Sequence, residues 1–288
     1  MEMNAEEAAR VLQDKHEPLK DRFRALFTLR NIGGAKAIDA ISSCFCDPSA
    51  LLKHELAYVL GQIQDPRAIP VLNQVLSDSS QEPMVRHEAG EALGAIGALE
   101  SLGILEKFCS DSCSEVAETC QLAMKRIQWI HDNTITKHSS ESASPFLSVD
   151  PTPYASSETS VQELEDCLLD SAAPIYERYR AMFALRNRKD VHSVKTLARG
   201  WFVFQYVFGC TLLLDRDREC SLVSLNELAQ RLSDLTENEM VRHECAEALG
   251  SIATDEALAI LHKYLNDSER VVRESCVVAL DIADQLEI

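Results

Sequence analysis

The chain repeats itself at a fixed offset, and that repetition restricts it to a small set of folds. Residues 22–31 (RFRALFTLRN) match residues 178–187 (RYRAMFALRN), an offset of 156. Residues 84–94 (MVRHEAGEALG) match residues 240–250 (MVRHECAEALG) at the same offset. Each half holds a shorter period. Arg24, His54, His87 and Glu118 occupy one slot of successive helical segments, and Arg180, Cys210, His243 and Glu274 occupy the corresponding slots of the second half. Apolar residues follow the slot at helical spacing, as at Leu56, Val59, Leu60 and Ile63. Shorter amphipathic helices lie between, such as Arg67 to Leu76 after Asp65-Pro66, and Thr254 to Leu265.

A helix pair of some 30 residues cannot bury its apolar face alone, and stacking on its neighbours solves this. The expected fold is therefore all-α, a helical-repeat solenoid built as two arms of four helix pairs. Apolar residues make up 46% of the 288, enough for substantial cores. The first arm is expected over residues 1–131 and the second over 161–288. Residues 132–160, rich in Ser, Thr and Pro and without helical period, read as a flexible linker that lets the arms face each other. Gly61, Gly94 and Gly250 share one late slot, where helices approach closely or end.

The formal charge of −18 disfavours nucleic acid and suits a cationic ligand. Ten cysteines without a disulfide framework, and an N-terminus without signal-peptide character, fit a cytoplasmic protein with reduced thiols. No phosphate loop, Ser-His-Asp arrangement or paired CxxC knuckle is present, which removes those chemistries.

His-Glu follows a basic residue three times: Lys53-His54-Glu55, Arg86-His87-Glu88 and Arg242-His243-Glu244. One such pair is ordinary solvated helix. Three at one repeat slot are a ligand pattern, because equivalent slots on adjacent helices lie about 10 Å apart at the axes. His54 and His87 can then converge on one ion. Glu55 and Glu88 stand about 100° further round. Imidazole and carboxylate without thiolate suit non-haem iron. Glu91 and Glu247, on the same face, are outer partners of the histidines or plain surface. His16, His131, His138, His192 and His262 read as surface or linker.

Two four-repeat arms, the Ser/Pro-rich linker, and Met-Val-Arg-His-Glu followed by Glu-Ala-Leu-Gly in each arm resemble the deoxyhypusine hydroxylase family of HEAT-repeat proteins. The resemblance covers nearly the whole chain outside the linker and residues 201–219. It implies a di-iron monooxygenase that uses O2 and two Fe2+ ions. Its substrate is the deoxyhypusine side chain of the translation initiation factor 5A precursor, and its product is hypusine. No nucleic acid or membrane is involved. Four His-Glu pairs are implied. His54 with Glu55, His87 with Glu88, and His243 with Glu244 match three of them as metal ligands. The histidines of one arm share a metal, completed by a glutamate of the other arm. The remaining glutamates, here Glu88 and Glu244, hold the cationic amine and serve catalysis.

The third pair is missing. The offset places Cys210 and Thr211 where His54 and Glu55 stand, and the surrounding residues 205–218 share almost nothing with residues 49–62. Five aromatic residues fall among the eight from Trp201 to Phe208. The break is abrupt on both sides and register survives it. This points to an altered reading of the message, mis-spliced or frame-shifted, with a diverged arm as the biological alternative. Either way, the chain as written is expected to bind iron weakly and hydroxylate poorly. Two other classes remain open to a chain of this pattern: a non-catalytic scaffold that binds a protein through its concave face, and a helical-repeat lyase or chaperone acting on a bound cofactor.

Overall fold

The computed structural model describes residues 3–136, 148–156, 158–188, 190–200 and 218–286. The regular secondary structure among them is helical, with no strand. They form two compact units, Met1–Pro153 and Tyr154–Ile288.

The first unit holds four helix pairs: α1 (Ala5–Gln13) with α2 (Leu19–Ile32), α3 (Gly34–Ser42) with α4 (Ala50–Ile63), α5 (Ile69–Ser77) with α6 (Pro83–Ile96), and α7 (Leu102–Phe108) with α8 (Ser114–Thr136). The second members stack in series, α4 on α6 and α6 on α8. The second unit contains α9 (Val161–Leu169), α10 (Ile175–Arg188), α11 (Val191–Gly200), α12 (Arg218–Ser233), α13 (Glu239–Ile252), α14 (Asp255–Lys263) and α15 (Arg270–Leu286). There α13 packs on α15. Adding 156 to the bounds of α4 gives residues 206–219. Most of that span, with Cys210 and Thr211, lies outside the described residues.

A buried arginine recurs along the stack, on α2, α6 and α13. Arg22 Nε donates to the carbonyl of Leu12, and its guanidinium meets Asp47 at 2.8 Å. Arg86 does the same with Leu76 and Asp111, and Arg242 with Leu232 and Asp267. In each case the carbonyl lies ten residues before the arginine and the aspartate 25 after it. Each aspartate also accepts a backbone N–H two residues on, from Ser49, Cys113 and Glu269. The motif thus clamps one long helix to the entry of the next and satisfies a charge that packing removes from water. Arg178 donates to Leu168 in the same way, but 25 residues on stands Val203, outside the described residues.

The shared glycines mark the closest helix contacts. A Cβ at Gly61 would fall 2.8 Å from Cα of Ala92. At Gly94 and Gly250 it would fall 2.7 Å from Cβ of Ala123 and of Ala279. Each pair therefore touches backbone to small side chain, with no room for a methyl group.

The helices α4, α6 and α13 have 14 residues each and end on a left-handed residue: Gln64, Gly97 and Ala253. Gly97 takes φ 76° without strain, whereas Ala253 takes φ 51° with a Cβ in the way. Ala253→Gly is accordingly expected to stabilise the second unit by about 0.5–1 kcal/mol, read as a raised midpoint in denaturant. A lowered midpoint would mean that the Ala253 methyl contributes more by packing than it costs in strain.

The Ser/Thr/Pro-rich stretch has contacts that composition does not reveal. Helix α8 continues to Thr136, and residues 137–147 lie outside the described residues. Val149 exchanges two hydrogen bonds with the Gln62 side chain, and Arg126 Nε donates to the Asp150 carbonyl at 2.8 Å. Thr152 is buried. The Ala155 amide donates to Arg180, within the second unit.

Candidate metal centre

His54, His87 and His243 are each the fifth residue of their helix. The helix starts fix this phase. The Ser49 hydroxyl caps α4 by accepting from the Leu52 amide, Pro83 opens α6, and Asn238 caps α13 by accepting from Met240. One turn into the helix, each histidine and the glutamate after it face inward. All six side chains of the three pairs are buried, with His243 at 0% exposure and Glu244, the most open, at 7%.

In the first unit the imidazoles of His54 and His87 lie with centroids 5.7 Å apart. Glu88 reaches both, with Oε2 at 3.3 Å from His54 Nε2 and 3.8 Å from His87 Nε2. Glu55 Oε1 lies 3.4 Å from His54 Nδ1. One ligand atom each from His54, His87 and Glu88 falls within 4.8 Å of the others, a grouping that can hold a metal ion. In the second unit His243 Nε2 lies 3.8 Å from Glu244 Oε1 and 3.8 Å from Glu247 Oε1. Glu247 is thus the histidine's neighbour rather than plain surface.

The charge balance at this site asks for a cation. The basic residue before each histidine is committed elsewhere: Lys53 to Gln81 and Glu82, Arg86 to Asp111, and Arg242 to Asp267. Burial pushes the pKa of His54 down, but the adjacent Glu88 and Glu55 carboxylates more than offset it and hold the imidazole well above its usual range. A metal ion bound there would satisfy the same carboxylates.

The ring nitrogens facing away from the carboxylates have hydroxyl partners that sequence reasoning missed. His87 Nδ1 lies 3.3 Å from Thr119 Oγ1 on α8, and His243 Nδ1 lies 2.8 Å from Ser275 Oγ on α15. Thr119 and Ser275 are themselves 156 apart, which is the signal that would have found them. The other described histidines stand outside the cluster. His131 hydrogen-bonds the Gly97 carbonyl, His192 pairs with Glu165, and His16 and His262 are exposed. His138, Cys210 and Thr211 lie outside the described residues.

Comparison with known proteins decides the family. Residues 6–82, 44–125 and 216–281 match the HEAT repeats model. Deoxyhypusine hydroxylase of Rattus norvegicus is 53% identical over 288 residues, covering 98% of this chain and 92% of its own. The human enzyme of that name is 52% identical, covering 98% and 91%. The chain belongs to the deoxyhypusine hydroxylase family. Deoxyhypusine hydroxylase of Drosophila pseudoobscura pseudoobscura is 51% identical over 95% of this chain and 89% of its own. The structure of human deoxyhypusine hydroxylase in complex with glycerol superposes with a TM-score of 0.91 at 51% identity, covering 98% of this chain and 96% of that one. The chain is therefore an enzyme of the deoxyhypusine hydroxylase family on an all-α HEAT-repeat fold, and identity of this extent does not favour a lyase or a non-catalytic scaffold.

Proposed function

We propose that the reaction this chain is built for is hydroxylation of the deoxyhypusine side chain of the translation initiation factor 5A precursor, in the cytoplasm, using O2 and Fe2+. The observation that carries the reading is the buried His54–His87–Glu88 group in a chain more than half identical to named deoxyhypusine hydroxylases. The donor set fits iron: imidazole nitrogen and carboxylate oxygen, with no thiol in the group. Bound iron would supply reduction of O2 and insertion of one oxygen atom into a carbon–hydrogen bond. The second oxygen atom leaves as water, with two electrons from an external reductant and two protons.

The residues of the chain divide the remaining work. His54, Glu55, His87, His243 and Glu244 are assigned as ligands. Glu88, within reach of both first-unit imidazoles, is assigned a ligand role and, with Glu244, the cationic amine of the substrate. The described residues contain no helix long and apolar enough to cross a membrane, and the charge of −18 suits a basic side chain rather than nucleic acid.

His87→Ala is expected to remove most of the bound iron while leaving the helical circular-dichroism spectrum in place. Loss of a direct ligand should exceed the roughly 10–100-fold weakening that follows loss of an outer partner. Iron content equal to that of the unsubstituted chain, measured by metal analysis, would move the assignment away from this site. Hydroxylation of a deoxyhypusine-containing precursor by the iron-loaded protein tests the reaction itself.

A further inference from the structure

The slot next to the histidine slot runs Glu55, Glu88, Thr119 in the first arm and reaches Glu244, Ser275 in the second. Carboxylates fill it on the ligand-bearing helices. On the last helix of each arm the position carries a hydroxyl. Both hydroxyl residues are buried to 1% exposure, and each sits against the Nδ1 side of a histidine on the long helix stacked beside it, Thr119 of α8 against His87 of α6 and Ser275 of α15 against His243 of α13.

The direction of one of these hydrogen bonds follows from proton bookkeeping. Ser275 Oγ donates its single proton to the carbonyl of Val271 at 2.7 Å. Towards His243 Nδ1, 2.8 Å away, it can therefore only accept, so Nδ1 carries the ring proton. That leaves the lone pair of a neutral imidazole on Nε2, the atom facing Glu244 and Glu247. In the first unit His87 has Thr119 at Nδ1 and Glu88 at Nε2, and the 156-residue register makes Thr119 the counterpart of Ser275. A hydroxyl achieves this without placing another negative charge behind the ring.

We propose that Thr119 and Ser275 are positioning residues that hold His87 and His243 as Nδ1–H tautomers, so that each presents its Nε2 lone pair to a metal. The role rests on the metal reading given under Proposed function; the tautomer can be measured without any metal.

The test uses the full chain labelled with 15N-histidine, above neutral pH and free of metal, together with Thr119→Val, Ser275→Ala and the conservative exchanges Thr119→Ser and Ser275→Thr. Imidazole nitrogen shifts should report Nδ1–H for His87 and His243 in the unsubstituted chain and in both conservative exchanges. The Nε2–H form should gain population at His87 in Thr119→Val and at His243 in Ser275→Ala. Titration with Co2+, followed by its visible absorption, should show affinity weakened roughly 10–100-fold by Thr119→Val or Ser275→Ala and retained in the conservative exchanges. An Nε2–H tautomer in the unsubstituted chain overturns the proposal. So does Co2+ affinity that is the same in all five proteins. Expected tautomers with no Co2+ uptake by the unsubstituted chain would overturn the metal reading and, with it, the role of the hydroxyls, while leaving their hydrogen bonds intact.

Discussion

A chain in which residues 205–218 are replaced by residues 49–62 is expected to hold more iron and to hydroxylate at least 100 times faster than the chain as it stands. The graft keeps the 156-residue register and puts a His-Glu pair where Cys210 and Thr211 now stand. Threonine has no charge to give a metal. Cysteine offers a thiolate only after losing a proton, in place of a ready imidazole lone pair. Loss of two direct ligands should exceed the roughly 10–100-fold effect of losing an outer partner. Grafting the same segment with Cys and Thr kept at 210 and 211 separates loss of the His-Glu pair from every other change in the segment: that protein should remain poor in iron. Iron per chain and initial hydroxylation rate are the two readouts. If both grafts match the unsubstituted chain in both, the third pair is not what limits it. Transcript sequencing across residues 201–217 shows independently whether this reading of the message exists.

Asp267→Ala is expected to destabilise the second unit by about 3–5 kcal/mol, because it leaves the Arg242 guanidinium buried without its carboxylate. Arg242 is 1% exposed, so water cannot take over. Amide hydrogen exchange in α13 and α15 reads the loss locally, which avoids treating two units as one transition. Burial raises the Asp267 pKa, but hydrogen bonds from Arg242 and the Glu269 amide win and hold it below the ordinary 3.8. A depressed folded-state pKa means that the pair's contribution is present above 3.8 and is lost as pH falls through the folded value. The substituted and unsubstituted proteins should therefore converge in stability on strong acidification. A cost below about 1 kcal/mol at neutral pH would place the pair among exposed ion pairs.

The repeat arithmetic made the architecture legible, because a 156-residue offset and a recurring slot need only identity and spacing. The same arithmetic brought His54, Glu55, His87, Glu88, His243 and Glu244 to notice. Charge misled where partners lie far off in sequence. Lys53, Arg86 and Arg242 look like solvated surface, yet all are buried, because Glu82, Asp111 and Asp267 come from the following repeat turn. The bond from Gln62 to Val149 spans 87 residues, so no local composition announces it. Thr119 and Ser275 escaped because a hydroxyl in a helix is common, and only the register of the next helix gives it meaning.

Gly61, Gly94 and Gly250 each stand seven residues, or two turns, after a histidine on the same helix face. Their partners Ala92, Ala123 and Ala279 each stand four residues after Glu88, Thr119 and Ser275. The seam that seats the imidazoles is thus gauged by hydrogen atoms where other residues carry a methyl group. The spacing of the His54 and His87 rings is set by how near two backbones come, at a place more than a turn along the helix from either ring. Any change in that spacing would begin at Gly61, leaving both imidazoles and their carboxylate neighbours unchanged.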